Sequence, residues 1–351
     1  MTRERLALLA AAGCSRPGHD SLHVGEMAPP FPDEEEGHKM SGTVILIVVA
    51  ALLVTVLAFW LLSERWRLLR PSTRKVMREA GLRRFLNLSI LHGYIYACWI
   101  YPYLNLLINY IFPRLGPRGK KWCSDRYHGK VLTTEHAKAI IAIDQDIPLR
   151  DLEQIIPYPI ARDLVLKGPP DVAVYECPCR HARANPCQPI QVCMAIGQPF
   201  VDFLLEHYPK VSRRLAQSEA LELLEAEHER GHLHSAWFKD ACLDRFYSIC
   251  NCCGCCCLGV EAMVKYDTPM VASSGYVVRV DETLCTACAT CENACPFKAI
   301  QVNEKSVVNW EACMGCGVCV GQCPNEALSL VRDERKGIPL DVRLLAQEQA
   351  V

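Results

Sequence analysis

Eight cysteines toward the end of this 351-residue chain fall into two matching runs, Cys285, Cys288, Cys291 and Cys295, then Cys313, Cys316, Cys319 and Cys323. Each run reads C-x2-C-x2-C-x3-C and closes on a proline, Pro296 or Pro324. Three thiolates at this spacing can wrap one iron–sulfur cubane, because the intervening backbone turns over the cluster and aims its amides at the sulfides. The fourth cysteine lies too far along to close the same cube. Two more constellations stand upstream. One is Glu176-Cys177-Pro178-Cys179-Arg180-His181, followed by Cys187 and Cys193; the other packs Cys250, Cys252, Cys253, Cys255, Cys256 and Cys257 into eight residues. Thiolates this close repel one another unless a cation or cluster neutralises them, so all ten are expected as metal ligands. Four suffice for a cube, so ten supply one further cluster readily and two by arithmetic. Iron–sulfur is favoured over a tetrahedral zinc site because electron-transfer cysteines follow in the same chain.

Residues 276–332 resemble the bacterial dicluster ferredoxin domain. The resemblance implies two [4Fe–4S] clusters with crossed ligands: Cys285, Cys288, Cys291 and Cys323 for one, Cys313, Cys316, Cys319 and Cys295 for the other. The two halves repeat with an offset of 28 residues, each a cluster loop, a helical turn and a strand. The first strand, 276–280, is expected to pair with the last, 327–331. Over 131–332 the order C-x-C-R, paired cysteines, N-C-C-G-C-C-C and then the double run is similar to a group of membrane-anchored ferredoxin-like iron–sulfur proteins with an additional cysteine-rich domain. That similarity implies cluster binding and electron transfer, and it names no substrate.

The elements that must position these residues begin with an anchor. Residues 43–62 are 20 residues without a charge, long enough to cross a bilayer as a helix. Arg65, Arg67, Arg70, Arg74, Lys75 and Arg78 follow, whereas the preceding segment carries Asp33, Glu34, Glu35 and Glu36. By the positive-inside rule the C-terminal side is then cytoplasmic, giving a single-pass cell-membrane protein with its iron–sulfur domains inside. Residues 85–112 are uncharged but rich in Tyr and Trp, with basic residues on both flanks. They are read as an interfacial or helix-packing segment, with a second span and a soluble core as alternatives.

The expected organisation is α+β: a disordered tail over 1–39, a transmembrane helix over 43–62, and a basic, aromatic juxtamembrane region over 63–130. An α-rich, cysteine-rich domain spans 131–270, the ferredoxin unit 275–332, and a C-terminal tail 333–351. Within the middle domain Thr133 or Thr134 caps a helix, 172–175 is a short strand, and 218–230 is a helix capped by Ser218 with its acidic residues in solvent. His232 and His234 are expected to be exposed. Cys98, Cys123 and Cys242 stand alone as structural thiols. Of the 22 cysteines, 14 lie outside the double run, a density that speaks for metal in a reducing compartment rather than for disulfides. Net charge is −1, so no overall field draws nucleic acid. No nicotinamide or flavin fingerprint is present. The leading reading is an electron carrier joining a membrane to redox partner proteins. The rivals are an oxidoreductase whose middle cluster reduces a disulfide or small substrate, and a redox or metal sensor with a zinc or labile iron site.

Overall fold

The computed structural model describes residues 42–67, 69–85, 88–149 and 151–348; the expected disordered tail lies outside them. The chain divides into a unit ending at Val54 and a second running from Thr55 onward. The helix Gly42–Ser63 begins in the first. It is long and apolar enough to cross a membrane, and every residue from Thr43 to Phe59 is exposed.

The second unit is built on a sheet. Its strands are β1 (Tyr127–Leu132), β4 (Val172–Glu176), β5 (Gln191–Ile196), β6 (Ser212–Leu215), β7 (Leu233–Lys239), β8 (Arg245–Cys252) and β9 (Val271–Ala272). A separate hairpin joins β2 (Ile147–Leu149) to β3 (Leu164–Leu166). The order across the sheet is β6-β4-β5-β8-β7-β1-β9, antiparallel throughout except at β1–β9. The expectation of an α-rich middle domain is thereby corrected. Its strands carry small and polar residues where clean alternation would have shown them, and cysteines stand at several inward positions.

The pleat sends alternate residues to opposite faces. Val172, Val174, Met194, Ile196, Ala236 and Ile249 enter one core, shared with the helices Thr134–Ala142, Gln217–Glu229 and Val342–Glu348. The last of these lies within the stretch expected as a tail, and Val342 is fully buried. Ala173, Tyr175, Cys193, Ala195, Trp237 and Cys252 face the other core. There they meet the segment expected to be interfacial. It forms Leu88–Cys98, bends by 100°, and resumes at Ile100. Tyr96, Ile100, Leu104, Ile108 and Phe112 make a buried stripe at helical spacing, so this chain's own core covers one side of it.

Local signals account for the helix ends. Thr133 accepts a hydrogen bond from the His136 N–H and caps its helix as expected. Ser218 is not a cap: the helix starts at Gln217, and the Glu219 carboxylate takes the Ala216 N–H at 2.8 Å instead.

The double run folds as its repeat suggests. β10 (Tyr276–Val280) pairs antiparallel with β13 (Leu328–Arg332), and β11 (Ile300–Val302) with β12 (Ser306–Val308). Ala287, Ala289 and Lys298 have positive φ, and so do Gly315, Gly317 and Glu326 at the repeat-related positions. At Gly315 a side chain is also excluded by contact, since a Cβ would lie 2.2 Å from the Tyr276 carbonyl.

Candidate metal centres

The last cysteine of the second run lies beside the first three of the first run. Cys285, Cys288, Cys291 and Cys323 line one cavity together with Ser306 and Pro324. Burial first raises Cys316, to about 12, and Cys319; Cys316 then raises Cys319, and Cys295 and Cys313 beside them raise both. Backbone amides serve the fourth cysteine of each run: Ala299 N–H donates to Cys295 Sγ at 3.2 Å and Ala327 N–H to Cys323 Sγ at 3.3 Å. These donors follow the positive-φ residues Lys298 and Glu326, which turn the chain back over the sulfur. Amides aimed at sulfur within a set of four thiols fit a cubane. Residues 277–324 match the family of the 4Fe-4S dicluster domain. No curated protein and no solved structure matches the chain. The chain thus carries an iron–sulfur domain of ferredoxin type.

The two halves of the dicluster domain are not equivalent. Ser306 Oγ lies 3.4 Å from Cys285 Sγ and 3.2 Å from Cys291 Sγ, and its bond lowers the Cys285 thiol below its usual range. The Thr290 hydroxyl does the same for Cys288, which is exposed. In the other set burial raises Cys295, Cys316 and Cys319.

The ten middle thiols divide into two groups. Six are successive neighbours: Cys177 beside Cys179 and Cys193, Cys193 beside Cys250, Cys250 beside Cys252, Cys252 beside Cys257, and Cys257 back beside Cys179. This closes a ring of six. Cys252 and Cys257 stand 3.3 Å apart. Strand parity explains half of it: Cys250 and Cys252 are two residues apart on β8 and face the same way, while Cys193 comes from neighbouring β5. Its neighbours Cys193 and Cys252 lower the Cys250 thiol below its usual range.

Cys187, Cys253, Cys255 and Cys256 form the second group. The sulfurs of Cys187, Cys253 and Cys255 lie within 4.8 Å of one another, and Cys255 and Cys256 are 3.5 Å apart. Arg180 bridges the groups. It is 1% exposed, and burial opposes its charge, but Cys253, Cys177, Cys193 and Glu227 hold the charge firmly on. An unpaired guanidinium there would cost several kcal/mol. Of the neighbouring residues singled out in the sequence, His181 turns away to Glu176 at 2.5 Å.

His232 and His234 correct the sequence reading, because both are buried. His232 Nε2 is 3.3 Å from Cys187 Sγ and its Nδ1 is 2.6 Å from Glu227; His234 Nδ1 meets Asn251 Oδ1 at 2.6 Å. Glu227 is fully buried rather than solvated. One signal did point to it: Ala220, Leu224 and Glu227 repeat at helical spacing, so the carboxylate continues the apolar stripe. Cys98 is not isolated either, since its sulfur, Glu64 and His207 converge within 4.8 Å.

The middle thiols abut the dicluster domain. A Cβ on Gly254, between Cys253 and Cys255, would lie 3.3 Å from the Cα of Pro296, the residue after Cys295. Gln322 Nε2 donates to the Glu229 carbonyl at 2.8 Å and secures a second contact.

Proposed function

We propose that this chain is a membrane-anchored electron-transfer protein with two [4Fe–4S] clusters and at least one more metal centre in its middle region, exchanging electrons with redox partner proteins on the cytoplasmic side. The close packing of Gly254 on Pro296 carries the reading, because it brings the N-C-C-G-C-C-C loop against a residue adjoining a dicluster cysteine. When bound, such clusters take up and release single electrons at potentials set by hydrogen bonds to sulfur and by exposure. The protein's part is to hold the thiols. Cys285, Cys288, Cys291 and Cys323 would hold one cluster; Cys313, Cys316, Cys319 and Cys295 would hold its twin. Arg180 supplies a fixed positive charge between the two middle groups, which offsets thiolate charge without a proton changing hands.

The six-thiol ring fits iron–sulfur chemistry, being closed, with four of its cysteines buried, and richer in sulfur than one metal ion requires. A second reading applies to the four-thiol group alone. A tetrahedral ion with metal–sulfur bonds of about 2.3 Å sets its sulfurs about 3.8 Å apart. The sulfurs of Cys187, Cys253 and Cys255 converge within 4.8 Å of one another, as ligands of one ion would, which favours zinc there and with it a structural or sensing part for that group. Metal and sulfide analysis of full-length protein purified without oxygen separates the cases. About twelve or more irons per chain is the expected result; about eight irons with zinc would remove the additional cluster.

A further inference from the structure

Next to the six-thiol ring, on the same face of the sheet, is a cavity of about 130 Å³. Its walls are apolar and aromatic, among them Ile100, Phe200, Phe203 and Leu204, and Ala97 and Ala195 leave the space open. A dry apolar cavity of about 150 Å³ holds a single benzene ring. The walls also carry hydroxyls of two separate networks. Tyr96 and Tyr247 share a hydrogen bond of 3.0 Å that either can donate. Tyr94 and Thr73 donate to the fully buried Glu64 at 2.9 and 3.0 Å, and Thr73 also meets His207 at 3.1 Å. An alkyl chain would make no use of these groups, whereas a ring with carbonyl oxygens would.

Two contacts narrow the ligand further. Tyr175 lines the cavity and its hydroxyl is 3.4 Å from Ser248 Oγ, which is 3.6 Å from Cys250 Sγ in the ring. A bound ring is therefore two side chains from a thiol group suited to metal. On another side Tyr94 stacks on Trp60 at 5.0 Å, and Trp60 belongs to the last turn of the apolar helix. We propose that this cavity binds the ring of a lipid-soluble quinone, one of whose carbonyl oxygens takes a hydrogen bond from the Tyr96–Tyr247 pair, in which one hydroxyl proton stays free once the other is shared. This gives the electron-transfer reading its membrane partner and rests on it; binding is measured without turnover, so its failure leaves the iron–sulfur assignment standing.

The test is titration of the full-length protein in detergent micelles with decylbenzoquinone, followed by tyrosine and tryptophan fluorescence, with decanoic acid as competitor. Saturable quenching that decanoic acid does not displace is expected. Ala97→Phe, which fills the cavity, weakens binding about tenfold or more. Tyr247→Phe weakens it about threefold to tenfold through loss of a hydrogen bond. Circular dichroism and iron content of both variants serve as controls for folding. Non-saturable quenching, displacement by decanoic acid, or affinity unchanged in the correctly folded Tyr247→Phe variant would overturn the proposal.

Discussion

At the scale of single residues, Ser306 is the clearest difference between the two halves of the dicluster domain. Its hydroxyl reaches two sulfurs of one set, while the repeat-related position in the other half is Glu334, a residue at the start of a short 3-10 helix. A hydroxyl that donates to sulfur stabilises the more negative, reduced state. Ser306→Ala is therefore expected to lower one midpoint potential and leave the other in place. Potentiometric titration monitored by electron paramagnetic resonance reads both; equal shifts, or none, would count against the role given to Ser306. The eight dicluster cysteines were legible in the sequence because their spacing is a local property, set by how a short loop wraps a cube. Glu227 was marked only by its place in the stripe of Ala220 and Leu224, and His232 by nothing local, because its partners Cys187 and Arg180 lie on distant segments.

Among elements, the instructive one is Pro71–Phe85 with the basic stretch before it. In the sequence these arginines and lysines read as a collar at a membrane surface. In the structure several are committed to the helix Phe200–His207: Arg65 donates to the His207 carbonyl at 2.8 Å, Arg70 to the Glu206 carbonyl, and Lys75 pairs with Asp202 at 3.0 Å. Cations at unsatisfied C-terminal carbonyls also suit the helix dipole. His207 sits within this junction, stacked on Phe203 at 4.0 Å and bonded to Thr73. Burial, then Arg70, lowers its pKa from 6.5 to about 4. The sign follows directly. Between these values the unfolded chain binds a proton that the folded one refuses, so stability is lost as pH falls through 6.5 toward 4. The loss reaches up to about 3 kcal/mol. Urea midpoints measured near pH 7 and near pH 5 are expected to differ less in His207→Gln than in the parent, and an equal difference in both would remove His207 as the cause.

For the whole molecule, 22 helical residues span about 33 Å, against about 30 Å of hydrocarbon. That length suits a bilayer, and the helix is exposed along its apolar part. Full-length protein is accordingly expected in the membrane fraction, resistant to high salt and released by detergent, whereas a chain starting at Ser63 should stay soluble at low salt. Full-length protein that is soluble and monodisperse without detergent would exclude the anchor.

The sequence by itself determined whatever depends on neighbours along the chain: the double cysteine run and its repeat, the uncharged helix, the Thr133 cap, and the pairing of 276–280 with the last strand of the ferredoxin unit. It also marked ten further thiols as too crowded to be idle. Only the tertiary structure decided how they divide. Cys193 joins Cys250 because β5 lies beside β8, and Cys187 joins Cys253, Cys255 and Cys256 because the loop after Arg180 folds over the cysteine-rich turn. Such partnerships are fixed by strand order and by contacts tens of residues apart, which no spacing rule encodes. The same holds for the cavity, whose walls come from helices and strands more than a hundred residues apart in sequence.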